Sequence, residues 1–309
     1  MDIVVYILTH NRPDTFIKAL KSVECQNYKD FKIVVSDNSS NDETMQLFYS
    51  HVHPNNVSYI KRDKEYSSFE HFCICKNEIM ADYYMLFHDD DTMLPNCIET
   101  LARLAKMHPD CIAIAANAFR VSEKGKVINV CSSQKKDVLI NNASFLAQTF
   151  LRENGLPYPS HLYRRDAQNI DFDKSKGGKH FDSSYLTDIA EKAPLYYAYS
   201  EIVMNYTISV QQDSHFLEPS HRRSFLKYMM YKAMLTKDSS IVTQFRVNDI
   251  YNYYSSNNKT SGLKVLKIFL RYHFNYFLKS VMKNITYKCS FLQYLLKIYR
   301  LYVKKEGRE

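Results

Sequence analysis

The 309 residues suffice for one large domain, or for a catalytic domain with an appendage, and an apolar fraction of 45% provides for a sizeable core. Only six glycines occur, and the absence of both the P-loop and the G-x-G-x-x-G pattern argues against P-loop and dinucleotide-binding sites. The net charge of +8 is uneven, because residues 221–309 carry 18 Lys and Arg against 4 Asp and Glu, which leaves the rest of the chain acidic.

Strand and helix patterns alternate along the first 116 residues. Five buried strands are predicted by apolar runs at 3–8, 31–35, 57–60, 83–87 and 111–116. Helices are predicted from Pro13, from a capping box of Ser40 and Glu43, over 69–80, from Pro95, and over 142–151. This alternation predicts an α/β fold with a three-layer, mostly parallel sheet, in which ligands bind at the carboxyl ends of the strands.

An acidic run from His88 to Asp91 follows the fourth predicted strand and leads into Pro95. Several carboxylates at one strand end repel one another, and a bound cation would keep them ionised. Mg²⁺ and Mn²⁺ prefer oxygen ligands and often complete their shells with substrate phosphates. The alternative is an acidic loop that caps the next helix. The buried strand before the run and the proline after it favour the metal.

A polar run from Ser36 to Asp42 follows the second predicted strand. Within it, Asp37 could accept hydrogen bonds from a nucleobase or a ribose. Helix capping and turn formation are the alternative, and they are common roles of Ser and Asn.

Three segments in this order resemble the inverting family 2 glycosyltransferases of GT-A fold: VVYILTHNRP, IVVSDNSSNDET and CKNEIMADYYMLFHDDDTMLP. The resemblance covers about residues 1–115, with weaker similarity to about residue 215. It implies a nucleotide-diphosphate sugar donor, in the first place a UDP-sugar, bound by Thr9, Asn11, Arg12, Asp37 and Asp89. It also implies Mn²⁺ or Mg²⁺ on Asp90 and Asp91, with Asp89 and His215 as further candidate ligands.

Other donor contacts are suggested by residue type. Lys61, Arg62 and Lys76 are candidates for phosphate contact, and Tyr158 is a candidate for the sugar pocket. Surface solvation of the basic residues and core packing of the tyrosine are the alternatives.

Two positions depart from the family pattern. Ser36 replaces the first Asp of the family's second motif, so Asp37 would carry base recognition largely alone. His88 stands where the first Asp of the metal motif usually lies. His88 could itself be a ligand, but because hard cations prefer oxygen, we expect it to pack under the nucleotide and Asp90 to carry the ion with its neighbours.

Inverting transfer requires a general base for the acceptor hydroxyl. Residues 178–186 resemble the family's base-bearing element, which makes Asp182 the candidate base, with Asp188 and then Asp173 as alternatives. The competing interpretation makes Asp182 the N-cap of a helix over 183–191.

The predicted domains are a catalytic domain over 1–219, with a nucleotide-binding half (1–115) and an acceptor half (116–219), and a helical region over 220–309. The basic, aromatic-rich pattern of the latter suits an anionic membrane surface, and packing on the catalytic domain is the alternative. No RNP, KH or zinc pattern occurs, so no nucleic-acid partner is expected.

Seven cysteines without a C-x-x-C pair argue against zinc and disulfides and predict a reduced, cytoplasmic protein. No signal peptide and no spanning helix are expected, so we predict peripheral attachment to the inner membrane face. The expected acceptor is a glycan or a polyprenyl-diphosphate-linked glycan in bacterial surface polysaccharide or glycolipid synthesis. The alternatives are a sugar-nucleotide nucleotidyltransferase, whose Gly-rich loop is missing, and a catalytically silent nucleotide-sugar or membrane-binding module.

Overall fold

The computed structural model describes residues 1–209, 219–236 and 239–246. His215 and most of the predicted region 220–309 lie outside these ranges. The strands in chain order are β1 (Ile3–Thr9), β2 (Lys32–Asp37), β3 (Val57–Lys61), β4 (Tyr83–His88), β5 (Thr92–Met93), β6 (Ala113–Ser122), β7 (Val127–Val130), β8 (Val138–Ile140), β9 (His161–Arg164) and β10 (Leu195–Ile208). The α-helices are α1 (Pro13–Glu24), α2 (Glu43–Tyr49), α3 (Ser68–Asn77), α4 (Cys97–Met107), α5 (Ala143–Leu151), α6 (Lys174–Gly177), α7 (Phe181–Ile189) and α8 (Pro219–Lys232).

The predicted strands of the first half are all present, and most helix starts follow local sequence signals. Pro13 occupies the first turn of α1, as predicted. The capping box predicted at Ser40 and Glu43 is wrong: the N-cap residue of α2 is Asp42, and its side chain makes no capping hydrogen bond. The capping box in this part of the chain belongs instead to Ser67 and Glu70 at the start of α3.

The sheet has the strand order β3-β2-β1-β4-β9-β6-β10-β5. The pairs β1–β2, β2–β3, β1–β4 and β6–β10 are parallel. Strand β9 lies antiparallel between β4 and β6 and joins the two parallel parts. This confirms the mostly parallel α/β sheet.

Apolar side chains cover both faces of the sheet, which explains why the strands read as continuous apolar runs. On one face, alternate residues of β1 such as Ile3, Val5 and Ile7 pack with buried residues of α1, α2 and α4. On the other face, Val4 and Tyr6 pack with α3, α5 and α7. The three layers leave the carboxyl ends of β1, β2 and β4 as the edge where polar side chains collect.

One compact unit spans Met1–Met234, and a second covers Leu235–Glu309. Helix α8, which begins the predicted basic region, belongs to the first unit and contacts α5, α6 and α7. Phe225 and Met229 of α8 are buried, and the ammonium of Lys232 lies 3.2 Å from a carboxylate oxygen of Asp188. Within the described ranges, no helix combines the length and the apolar character needed to span a bilayer.

Candidate donor and metal site

The sheet register brings the predicted motifs together at one edge. Thr9 pairs with Asp37 across β1 and β2, and Leu8 pairs with His88 across β1 and β4. Asp37 in turn pairs with Lys61 on β3. Residues far apart in the sequence therefore become neighbours at the carboxyl ends of four adjacent strands, where α/β sheets bind their ligands.

Asn11 connects the loops that follow β1 and β2. Its backbone adopts a left-handed φ of 52°, which Asn tolerates better than most residues. Its amide donates to the Ser39 hydroxyl over 2.8 Å, and its side-chain oxygen accepts the Ser40 amide over 3.0 Å. These bonds fix the entrance to the predicted nucleotide site.

Asp37 lies at the end of β2 with no exposed surface. It accepts the Ser39 amide over 2.8 Å, the Lys61 ammonium over 3.1 Å and the hydroxyl of Tyr59. Burial raises the pKa of Asp37, but these hydrogen bonds outweigh it and hold the pKa below its usual value. Because Asp37 has no exposed surface, a contact with a nucleobase would require neighbouring groups to move aside.

The Ser36 hydroxyl lies at the centre of a hydrogen-bond network beside Asp37. This hydroxyl lies 2.6 Å from Nε2 of His71 and accepts a hydrogen bond from Nε of Arg62 over 2.8 Å. Arg62 also forms a bidentate pair with Glu78, with distances of 2.6 and 2.7 Å. Burial lowers the pKa of His71 to about 4, so its imidazole is neutral near pH 7. Arg62 thus has protein partners in this arrangement, and its predicted phosphate contact stays a prediction.

Lys76 of α3 is also engaged within the protein. Its side chain is 1% exposed, and its ammonium donates to the carbonyls of Gln168 (3.0 Å) and Ile170. The same ammonium lies 5.3 Å from the ring centroid of Phe172. This geometry gives Lys76 a structural role between α3 and the loop after β9, which competes with its predicted phosphate contact.

Asp89 faces the end of β1. Its carboxylate accepts the His10 amide over 3.2 Å and lies 3.4 Å from Nη1 of Arg12. Burial and the neighbouring Asp90 raise the pKa of Asp89 to about 6, and Arg12 opposes this shift. Arg12 also lies 3.5 Å from Asp90, so one guanidinium bridges two of the predicted ligands.

His88, Asp90 and Asp91 form the cluster that could hold a metal ion, since each offers a donor atom and these atoms lie within 4.8 Å of one another. Asp91 accepts the Thr207 amide over 2.8 Å through Oδ1, whereas its Oδ2 is buried without a partner among the described residues. Burial and Asp90 raise the pKa of Asp91 well above its usual value. A cation would offset that cost, so the donor set fits a divalent ion.

Aromatic rings surround His88. The Phe72 ring meets it edge-on at 5.7 Å between centroids, and the Tyr158 ring lies nearly parallel to it at 6.2 Å. Burial lowers the pKa of His88, which favours the neutral imidazole. Tyr158 itself is 5% exposed and packs behind His88, so its predicted contact with a sugar stays a prediction.

The three candidate bases have different surroundings. Asp182 lies in the first turn of α7, and its carboxylate is close enough to His88 and Tyr206 to influence their pKa values. Asp188 instead accepts the Lys176 ammonium over 2.7 Å and the hydroxyl of Tyr228. Asp173 caps α6 by accepting the Ser175 amide over 2.8 Å. Of the three, Asp182 is the one near the acidic cluster.

A cavity of about 740 Å³ opens beside the cluster. It lies between the start of α1, the turn after β6 and the end of β10, and Asp90 and Asp91 form part of its wall. Arg12, Lys18 and Lys124 also line it, so the cavity combines acidic and basic groups.

A family model described as glycosyl transferase family 2 matches residues 4–166. That span is more than half of the chain and contains β1 to β4, the acidic loop and β9. The chain belongs to this family. The resemblance predicted from the motifs is thereby confirmed.

Solved structures support the same fold for this family 2 glycosyltransferase. S. aureus TarS 1-349 in complex with UDP-GlcNAc has a TM-score of 0.59 at 14% identity, over 86% of this chain and 78% of that chain. The mannosyltransferase PcManGT from Pyrobaculum calidifontis, in complex with GDP-Man and Mn²⁺, has a TM-score of 0.56 at 11% identity, over 95% of this chain and 83% of that chain. At these identities the similarity establishes the fold, which is of the GT-A type.

Some residues of the site carry no sequence motif. Phe72 and Tyr206 stand beside the acidic cluster, and Thr207 orients Asp91 from a distance of 116 residues along the chain. The sequence offered a weak signal for Thr207, which lies in the stretch up to about residue 215 where the similarity to the family is weaker. Phe72 could not be distinguished from an ordinary core residue of α3.

Proposed function

We propose that this glycosyltransferase transfers a sugar with inversion from a nucleotide-diphosphate donor, in the first place a UDP-sugar, in a reaction that depends on Mn²⁺ or Mg²⁺. The observation that carries the proposal is the convergence of the donor atoms of His88, Asp90 and Asp91 within 4.8 Å at the end of β4. Oxygen-rich clusters of this kind suit divalent ions that share a diphosphate. The ligands in the similar solved structures, UDP-GlcNAc in one and GDP-Man with Mn²⁺ in the other, support the same donor class.

The residues of the site have separate roles in the proposed reaction. Asn11 and Asp37 order the loops that would receive the nucleoside, and Arg12 places a positive charge between Asp89 and Asp90. Asp90 and Asp91 would hold the ion, which would supply positive charge to stabilise the diphosphate leaving group. Asp89 contributes to donor binding through its contacts with Arg12 and the end of β1.

Asp182 acts as the general base. The acceptor hydroxyl attacks the anomeric carbon, its proton passes to a carboxylate oxygen of Asp182, and the bond to the nucleoside diphosphate breaks. Within the described residues, the bond to the carboxylate is the one from the Ser183 amide to Oδ1, 2.7 Å long, which leaves the other oxygen available. Asp188 is less suitable because Lys176, Lys232 and Tyr228 surround its carboxylate.

The acceptor in this proposal is a glycan or a lipid-linked glycan at the cytoplasmic face of a membrane. The basic composition of 221–309, with 18 Lys and Arg against 4 Asp and Glu, supports contact with anionic lipid. Full-length protein should therefore sediment with anionic vesicles and remain in solution with neutral ones. Equal partition between the two vesicle types would remove the membrane part of the proposal.

The experiment for the transfer reaction is donor turnover with a panel of UDP-sugars and Mn²⁺. Asp90→Ala should abolish metal-dependent donor binding, whereas Asp182→Asn should bind the donor normally and lose about 10²–10⁴-fold in turnover. Asp173→Asn is the matched control, because Asp173 caps a short helix and should leave turnover unchanged. Normal turnover in Asp182→Asn would move the base elsewhere, and metal-independent turnover in Asp90→Ala would refute the metal site.

A further inference from the structure

The imidazole of His88 occupies a fixed position at the acidic cluster. It ends β4, and the rings of Phe72 and Tyr158 pack around it at 5.7 and 6.2 Å between centroids. Phe72 in turn meets Phe181, which precedes Asp182 in α7, at 5.5 Å. The ring is therefore held by packing from two directions and cannot turn freely away from the cluster.

The ring presents Nδ1 to the carboxylate of Asp91. The distance from His88 Nδ1 to Asp91 Oδ2 is 3.9 Å, which is too long for a hydrogen bond. Two donors on one transition-metal ion, each about 2.1–2.2 Å from it, lie about 3 Å apart when adjacent and about 4.3 Å apart when opposite. A separation of 3.9 Å therefore allows both atoms to bind one ion without a large movement of either side chain.

The carboxylate of Asp91 has a buried oxygen without a partner. The Asp91 side chain is 0% exposed, and its Oδ2 accepts no hydrogen bond from the described residues. Buried polar atoms are nearly always satisfied in folded proteins, so an unsatisfied carboxylate oxygen that faces an imidazole nitrogen points to a cation between them.

We propose that His88 supplies a nitrogen ligand to the ion, and that this ligand makes the site select Mn²⁺ over Mg²⁺. The inference rests on the proposed metal-dependent function and adds the identity of a third ligand. It favours the alternative in which His88 is a ligand over the one in which it packs under the nucleotide. Mg²⁺ requires near-ideal octahedral oxygen coordination and retains its waters, whereas Mn²⁺, although it also favours oxygen, begins the transition series whose ions bind mixed nitrogen and oxygen ligands. An Asp at position 88 would give the cluster of residues 88, 90 and 91 three carboxylates, whereas His88 leaves it with two.

The test uses the full-length protein with Mn²⁺ alone, followed by pulsed electron paramagnetic resonance. Wild-type protein should bind Mn²⁺ and show a directly coordinated ¹⁴N coupling, which changes to a ¹⁵N coupling when the histidines alone are ¹⁵N-labelled. The variant His88→Asp should still bind Mn²⁺, lose the nitrogen coupling, and lower the ratio of Mn²⁺ to Mg²⁺ affinity at least tenfold. His10→Gln is the matched control, because His10 follows β1 near the same edge and is about half exposed, with 47% of its side-chain surface accessible.

Each result has one meaning. Bound Mn²⁺ without nitrogen coupling in the wild type overturns the inference and leaves the metal-dependent function intact. A coupling that persists in His88→Asp, or that disappears in His10→Gln, assigns the nitrogen to another residue and also overturns it. No Mn²⁺ binding by folded wild-type protein refutes the proposed metal site itself. The labelling result on the wild type needs no variant, so a misfolded His88→Asp would not prevent a decision.

Discussion

Replacement of Lys76 by Met separates two roles for the most deeply buried lysine of the site. In the structure, its ammonium donates to the carbonyls of Gln168 and Ile170, and it lies 5.3 and 5.7 Å from the ring centroids of Phe172 and Tyr185. Met retains most of the stem and its packing, but it removes the charge and both hydrogen bonds. The variant therefore tests whether Lys76 stabilises the fold or contacts the donor phosphates.

The expected loss follows from those two bonds. A hydrogen bond that involves a charged group contributes about 1.5–3 kcal/mol, and Lys76→Met leaves two carbonyl oxygens without their donor. Part of this loss is offset because burial already lowers the pKa of Lys76, which means that its charged form is costly to keep in this position. We expect a net destabilisation of about 2–4 kcal/mol. At about 2–4 °C per kcal/mol for a domain of this size, Tm should fall by about 4–16 °C.

The assay combines thermal denaturation with calorimetric titration of a UDP-sugar in the presence of Mn²⁺. Lys76→Met should lower Tm while donor affinity, measured below the transition, stays within about twofold of the wild type. Lys21→Met, a change at an exposed lysine of α1, is the matched control and should alter neither quantity. An unchanged Tm together with a donor affinity reduced tenfold or more would refute the reasoning and restore the phosphate contact.

Two further predictions concern stability. Burial lowers the pKa of His161 to about 4, so below about pH 6.5 the unfolded chain binds a proton at this residue that the folded protein does not bind. His161 alone should therefore contribute about 2 kcal/mol to the loss of stability between pH 7 and pH 4.5. Urea midpoints at both pH values should show a smaller fall in His161→Gln and the full fall in His10→Gln, and identical falls would contradict this. Gly178 has φ +61°, and a Cβ there would lie 2.3 Å from Nδ1 of His221, so Gly178→Ala should lower the free energy of unfolding by about 2–3 kcal/mol. Gly125 has φ +75° but open space around it, so Gly125→Ala should lower it by only about 1 kcal/mol. Equal Tm values for the two variants would disprove the clash.

Local sequence was sufficient for the frame of the nucleotide-binding half. The apolar runs that became β1, β2 and β4 are buried on both faces, and Pro13 starts α1 as predicted. The acidic loop after β4 was recognisable because adjacent carboxylates directly follow an apolar strand. The parallel arrangement of these strands could also be predicted, since strands joined by helices align their carboxyl ends.

Side-chain partners were less accessible to sequence reasoning. Asp37 was expected to face a base, yet it is fully buried beneath three protein donors. Lys76 was expected at a phosphate, yet it bonds to carbonyls 92 and 94 residues further along the chain. Asp188 was the first alternative to Asp182 as the base, but two lysines and a tyrosine contact its carboxylate.

The sequence by itself determined the family, the order of the main strands and the presence of charged groups at their ends, because periodicity and strand-end motifs are local properties of the chain. The tertiary structure decided which of those groups remain available for a ligand. Whether a carboxylate such as Asp91 finds a donor depends on Thr207, which the fold brings to it from 116 residues further along the chain, whereas His88 is only three residues away in sequence. That outcome depends on three-dimensional packing, because a buried charge is stabilised by whatever surrounds it in space.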